Sequence, residues 1–176
     1  MEREKIWFYQ TKIGEFGIGE KDGAIVRVTF GKEMGGMPTD FDMEETPLLR
    51  LAAVEIAEYL EGNRRMFDLP LAPEGTEFQK KVWRALLEIP YGTTVTYGQI
   101  AAAVGNPKGA RAVGRANHDN PIAIFIPCHR VVGADGRLTG YAGGLEIKKA
   151  LLETERCGLE INDGCLVQGW RFCKFG

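Results

Sequence analysis

Residues 96–118 read TYGQIAAAVGNPKGARAVGRANH, and this stretch decides how the second half of the chain folds. Thr96 and Gln99 have capping-box spacing, in which each side chain satisfies a backbone N–H that a helix start leaves unpaired. A short helix begins there with Ile100, Ala103 and Val104 facing inward, and Gly105-Asn106-Pro107 breaks it. A second helix runs from about Gly109 to His118, with Arg111 and Arg115 among small Ala110, Ala112, Gly114 and Ala116. Two short helices across a tight Gly/Pro turn form a helix-turn-helix pattern, and small residues would let the second helix approach a nucleic-acid groove. Any helical hairpin looks similar, so the pattern alone leaves ordinary packing open.

Upstream, Thr76 and Gln79 repeat the capping box, and Phe78, Val82, Trp83, Leu86 and Leu87 form an apolar helical face that ends before Pro90. The stretch 68–75 holds two prolines and a glycine and reads as a linker. Before it, residues 13–20 and 24–30 flank Asp22-Gly23, a hairpin signal, and another strand begins at Trp7 to Tyr9. Residues 31–45 read as a loop. Thr46 then caps a helix with Pro47 at its first position, whose inner face is Leu48, Ala52, Ile56, Tyr59 and Leu60. Nothing in this half converges on chemistry, so it reads as scaffold. The expected organisation is α+β: an amino-terminal sheet-and-helix domain over 1–70, a mostly helical domain over 76–158, and a tail over 159–176 without an assigned role.

Downstream, Ile126-Pro127-Cys128-His129-Arg130-Val131-Val132 ends an apolar run and sets a thiol beside an imidazole. A thiolate is the attacking form of cysteine, and a histidine in reach, directly or through one water, takes its proton. Neighbouring side chains in extended backbone point apart, so a bridging water is the easier geometry. A buried structural cysteine beside a surface histidine is the bland alternative. The glycine-rich 140–144 loop bears Tyr141 and can wall a flat pocket. Leu145 to Arg156 reads as a helix with Ile147, Ala150, Leu151 and Thr154 on one side and Gly158 as terminator. Glu155 falls in its last turn, where the helix dipole disfavours a carboxylate, which suggests a compensating partner: either Arg156 or a triad-like bond to His129.

The net charge of −2 argues against coating nucleic acid by bulk electrostatics but permits a local basic face of Lys108, Arg111, Arg115 and Arg130. The four cysteines, at 128, 157, 165 and 173, form no Cys-x-x-Cys pair, so no metal site is expected. His118 reads as a solvated residue near a helix end. The opening residues lack a signal-peptide layout and no run is long enough to span a bilayer, so the expected location is the cytoplasm, or the nucleus in a eukaryote, away from membranes.

Taken together, Arg111-Ala112-Val113-Gly114, Asn120-Pro121, the Pro-Cys-His-Arg run at 127–130 and Gly140-Tyr141-Ala142-Gly143-Gly144-Leu145 resemble the DNA alkyltransferases that repair 6-O-alkylguanine. The likeness covers Thr76 to Glu155 and is architectural before that. It implies a ribonuclease H-like amino-terminal domain and a winged-helix-like catalytic domain that contains the helix-turn-helix. It implies that Cys128 accepts the alkyl carbon in a single displacement, with His129 as base through a water, Glu155 orienting it, and Asn120 bonding near the active-site turn. Tyr97 corresponds to the tyrosine that protonates the departing guanine. Arg111 corresponds to the arginine that fills the hole left by the extruded base, flanked on the DNA face by Ala110, Gly114, Arg115 and Lys108. Tyr141 would border the flipped base, with backbone around Val131, Ala142 and Gly143 reading its edge.

The resemblance further implies double-stranded DNA bearing 6-O-alkylguanine as partner, 4-O-methylthymine as a minor substrate, no cofactor, and a monomer that works once because the thioether is not hydrolysed. Ala142 replaces a serine found in some members. Three rivals remain at this point: an alkyltransferase-like lesion binder without transfer, against which the presence of Cys128 counts; a Cys-His-Glu hydrolase; and a purely regulatory helix-turn-helix protein, which would show base-sequence preference.

Overall fold

The computed structural model describes residues 2–31 and 38–162. Its first layer is a four-stranded sheet built from β1 (Glu4–Thr11), β2 (Gly14–Lys21), β3 (Ala24–Phe30) and β4 (Phe41–Met43), in the order β3-β2-β1-β4. The β2–β3 hairpin turns at Asp22 and Gly23, both with positive φ (51° and 77°), as an Asp-Gly hairpin turn requires. Phe16, Ile18, Ile25 and Val28 point into the core from this hairpin. β4 lies within the stretch expected to be a loop. Its three residues pair in parallel with the start of β1, too short a segment for alternation to reveal. The remainder of that loop at 32–37, and tail residues 163–176 with Cys165 and Cys173, lie outside the described residues.

Helix α1 (Pro47–Leu60) packs across this sheet. Thr46 caps it, accepting from the Leu49 N–H at 3.1 Å, and Pro47 starts it as expected. Leu49, Ala52, Ile56, Tyr59 and Leu60 are buried, while Leu48 is only half-buried. The proline-bearing stretch at 68–75 is stitched along β3: the Ile25 N–H donates to Pro70 O at 2.8 Å and the Ala72 N–H to Ile25 O at 2.9 Å.

In the second half, α2 (Glu77–Leu87) and α3 (Tyr97–Ala103) each start with a complete capping box, at Thr76/Gln79 and Thr96/Gln99. The inward face of α3 is Ile100, Ala101 and Val104; Ala103 is exposed, because i, i+1 and i+4 share a face of a 3.6-residue helix. Helix α4 (Ala110–His118) follows a turn with Gly105 at φ +80°. Two-residue strands β5 (Val95–Thr96) and β6 (Val131–Val132) pair in parallel beside these helices. Trp83 of α2 is buried and donates its indole N–H to Ala116 O at 2.8 Å, which ties α2 to α4. The apolar core runs from Phe16 in β2 to Leu151 in the last helix without a break.

That last helix, α5 (Leu145–Asn162), does not stop at Gly158. Helical glycine costs about 1 kcal/mol relative to alanine, but here a Cβ would strike the Tyr91 hydroxyl, and the Gly158 carbonyl accepts from Arg65 at 2.8 Å. Glu155 is therefore not in the last turn. Its buried stripe is Lys148, Leu151, Leu152, Glu155 and Gly158, with Ile147, Ala150 and Thr154 half-buried at its side.

Gly92 locks α5 to the α2–β5 connection. Its φ is +75°, and a Cβ there would run into the Leu159 side chain. Gly92→Ala should destabilise the fold by more than about 1 kcal/mol, since both backbone conformation and space oppose the methyl group; chemical denaturation of the two proteins measures the difference.

Candidate active site

The site is built where the chain leaves α4. Ile122, Ala123, Ile124, Phe125 and Ile126 are all buried, and Ile124 holds φ +75°. A β-branched residue in that region is strained, so its neighbours must hold it. Asn120 does so: its Nδ2 donates to Ile126 O at 3.0 Å, and its Oδ1 accepts from the Ile122 N–H at 3.0 Å. The predicted bond near the turn is thus made, and it delivers Pro127 into a 3₁₀ turn at Cys128–Arg130. The turn, rather than extended backbone, carries cysteine, histidine and arginine, and all three are buried.

Behind the turn lies the Glu155 carboxylate. Its Oε1 accepts from His129 Nε2 at 2.7 Å, from the Tyr59 hydroxyl at 2.7 Å and from Arg130 Nη2 at 2.8 Å. Its Oε2 accepts from Arg130 Nε and the Gly92 N–H, each at 3.0 Å. Arg130 Nη1 also donates to Ile89 O at 2.6 Å. Burial opposes ionisation of this carboxyl, but the bond and charge of His129, then those of Arg130, outweigh it and hold the group at about 2. The alternative partner Arg156 instead faces Glu160, at 3.8 Å.

With Nε2–H directed at the carboxylate, His129 presents Nδ1 as a bare acceptor, and that atom is buried without a protein partner. Burial lowers the imidazole's pKa, with Glu155 pulling the other way. Burial also pushes the Cys128 thiol up to about 11, against the opposing bond from Asn120 and charge of Lys148. Both shifts disfavour a resting thiolate–imidazolium pair, so the proton that the sequence reading has His129 take stays on the resting sulfur. Desolvation by the enclosing residues is the reason. The Tyr141 hydroxyl is buried against Cys128, its pKa raised by burial and then by Cys128 and Glu155, and Phe30 packs on its ring at 5.7 Å.

Several side chains here were not anticipated. Tyr59 brings α1, read as scaffold, directly into the site, and Phe30 of β3 flanks both Tyr141 and Gly143. Arg130 was grouped with the surface charges, yet it is buried on Glu155. Lys148 is buried too, donating to Val131 O at 2.6 Å and Thr139 O at 2.9 Å, with its pKa brought down to about 8 by burial. The signal for Lys148 was its i, i+7 relation to Glu155 on one stripe of α5.

On the outer face, Lys108, Arg111, Ala112 and Arg115 are exposed on and before α4, with Ala110 half-buried; Arg115 also pairs with Asp119 at 3.2 Å. Ala116 is core, and Gly114 faces the Tyr97 ring, so neither leaves α4 slim toward solvent. The Tyr97 hydroxyl bonds Thr139 Oγ1 at 2.7 Å. His118 is exposed, as expected. Val131 is buried and its carbonyl engaged by Lys148, whereas Ala142 is exposed. Among the described residues no cluster fits a metal ion and no helix is long and apolar enough to cross a membrane.

Residues 6–73 match the family described as 6-O-methylguanine DNA methyltransferase, ribonuclease-like domain, and residues 77–157 match its DNA binding domain. A methylated-DNA–protein-cysteine methyltransferase of Methanosarcina barkeri is 55% identical over 152 residues, covering 85% of this chain and 96% of the relative. A constitutive enzyme of that name from Bacillus subtilis is 47% identical over 152 residues, covering 84% and 92%. Among solved structures, Mycobacterium tuberculosis OGT in complex with DNA superposes with a TM-score of 0.81 at 40% identity, covering 88% of this chain and 94% of that one.

The low pKa of Glu155 makes stability depend on acid. A depressed carboxylate contributes its full stabilisation above the unfolded value of 4.5 and loses it as pH falls toward about 2. Glu155→Gln should flatten that limb of the stability profile and cost about 3–5 kcal/mol at neutral pH, because Arg130 is left buried without its counter-charge; urea melts across pH check both.

Proposed function

The chain belongs to the 6-O-methylguanine DNA methyltransferase family, and from that premise we propose that Cys128 is the acceptor of an alkyl group from 6-O-alkylguanine in double-stranded DNA. The activity is methylated-DNA–protein-cysteine methyl transfer, a DNA-repair reaction. The observation that carries the assignment to Cys128 is the buried His129–Glu155 pair at 2.7 Å, which fixes the proton on Nε2 and leaves Nδ1 bare on the residue next to the thiol.

In this reading the proton leaves Cys128 as the sulfur attacks, not before. His129 Nδ1 takes it, directly or through one water, and Glu155 stabilises the imidazolium that forms. The new bond is S–C; the bond that breaks joins the alkyl carbon to O6, and the electron pair leaves with guanine. Tyr97 supplies a proton to the departing base, and Tyr141 lines the space beside the sulfur. Lys108, Ala110, Arg111, Gly114 and Arg115 form the DNA face, with Arg111 filling the gap left by the extruded base. Val131, Ala142 and Gly143 border the pocket. The protein acts as a monomer, accepts 4-O-methylthymine poorly, and is consumed in one turnover because a thioether offers water no leaving group.

Mixing the protein with a duplex containing one 6-O-methylguanine should add about 14 Da, one CH₂, to Cys128 with one equivalent of lesion consumed. Cys128→Ser should bind the duplex and show no adduct. Intact-mass analysis reads both; binding by the native protein without the increment would instead favour a lesion binder, and catalytic turnover a hydrolase.

A further inference from the structure

The α1 residue Tyr59 is fully buried, and its hydroxyl lies 2.7 Å from Glu155 Oε1 and 3.2 Å from His129 Nε2. Only one of these contacts is a hydrogen bond in the state that the site needs. If Nε2 lacked its proton, two acceptors would face each other at 2.7 Å across the His129–Glu155 contact, so Nε2 carries a hydrogen. Nε2–H has no lone pair to offer, and the Tyr59 hydroxyl therefore donates to the carboxylate. A phenol, an imidazole and a guanidinium consequently share one carboxylate oxygen.

We propose that Tyr59 is a positioning residue that acts on Cys128 through Glu155 and His129, its hydroxyl fixing the carboxylate and drawing off part of the charge that would otherwise hold a proton on His129. The chemical logic is a competition. Each donor that satisfies Glu155 weakens its pull on the others, so Tyr59 keeps His129 less basic than Glu155 alone would make it, and the ring stays neutral and ready to accept. The groups around the imidazole are Tyr59 from α1, Arg130 from the 3₁₀ turn, and Glu155 and Lys148 from α5; the Glu155 charge also reaches Tyr91 and Tyr141. Of these Tyr59 is a neutral donor whose hydroxyl can be removed without changing any formal charge. Burial and the Glu155 charge both keep that hydroxyl protonated, so it is a donor throughout the working range.

The test uses the full chain with nitrogen-15-labelled histidine, and the only other histidine, exposed His118, is the internal control. Tyr59→Phe should raise the pH at which the His129 ring titrates by about half a unit to one unit, a share of what a hydrogen bond to a charged group contributes. Site-specific 3-fluorotyrosine at 59, a stronger donor, should move it the other way and keeps the test open where Tyr59→Phe does not fold. The acid limb of the single-turnover transfer rate should move with the titration. That last arm rests on Cys128 being the acceptor; the ring titration does not. A His129 titration unmoved by either change overturns the proposal, whatever happens to stability. A shifted titration in a protein that transfers no alkyl group sustains the positioning role and removes the assignment of Cys128.

Discussion

One ionised carboxylate, sealed among apolar residues, organises this molecule. Glu155 takes bonds from α1, from the α2–β5 connection at Gly92 and from two consecutive residues of the 3₁₀ turn. A charge in such a place would cost about 3–5 kcal/mol without Arg130 and about 1–3 kcal/mol for the loss of a neutral donor. The arrangement thus makes the two halves of the chain depend on each other, because Tyr59 belongs to the first and His129, Arg130 and Glu155 to the second. It also explains the length of α5. The helix has to run past Glu155 so that Leu159 can close over Gly92 and Gly158 can admit Tyr91.

The same burial that gives Glu155 its role sets the state of the sulfur. A thiol raised to about 11 is neutral at physiological pH, and a lowered imidazole is neutral beside it. Charge separation between them would have to be made in a medium of low dielectric, where it is penalised on both sides. Lys148 offsets part of this penalty. It keeps its proton at neutral pH with a pKa of about 8, its ammonium is tethered by two carbonyls, and its field favours negative charge on Cys128. On the proposal that Cys128 is the acceptor, proton loss and sulfur attack are therefore coupled to the arrival of the electrophile.

Much of the fold was legible because it is written in local grammar. The Asp22-Gly23 turn, the Thr46 cap and the two Thr-x-x-Gln boxes each need only four or five residues to be read, and each forms as expected. Where reading failed, the deciding contact was remote in sequence. Gly158 ends no helix because Tyr91, not local propensity, decides its neighbourhood. Tyr59 looked like one more apolar position on α1, and only the fold shows that its hydroxyl meets a carboxylate 96 residues away. Arg130 was misplaced for a similar reason, since a charge count along the chain cannot distinguish a solvated arginine from one buried on its partner. The triad-like pairing of His129 with Glu155 was reachable through the family resemblance, whereas the helix dipole gave no ground for it, because α5 continues to Asn162 and Glu155 is not in its last turn.

A protein that is used up by its own reaction gains from a nucleophile that is slow in the resting state. An exposed thiolate would be captured by oxidants and by stray alkylating agents, and each such event would remove one molecule from service. Burial that leaves Cys128 3% exposed and pushes its thiol up to about 11 disfavours both. If Cys128 is the acceptor proposed above, its activation requires a ligand that brings an electrophilic carbon within reach of the buried sulfur. On the proposal above, burial keeps the acceptor thiol neutral until it reacts, and the His129–Glu155 pair supplies the base that takes its proton.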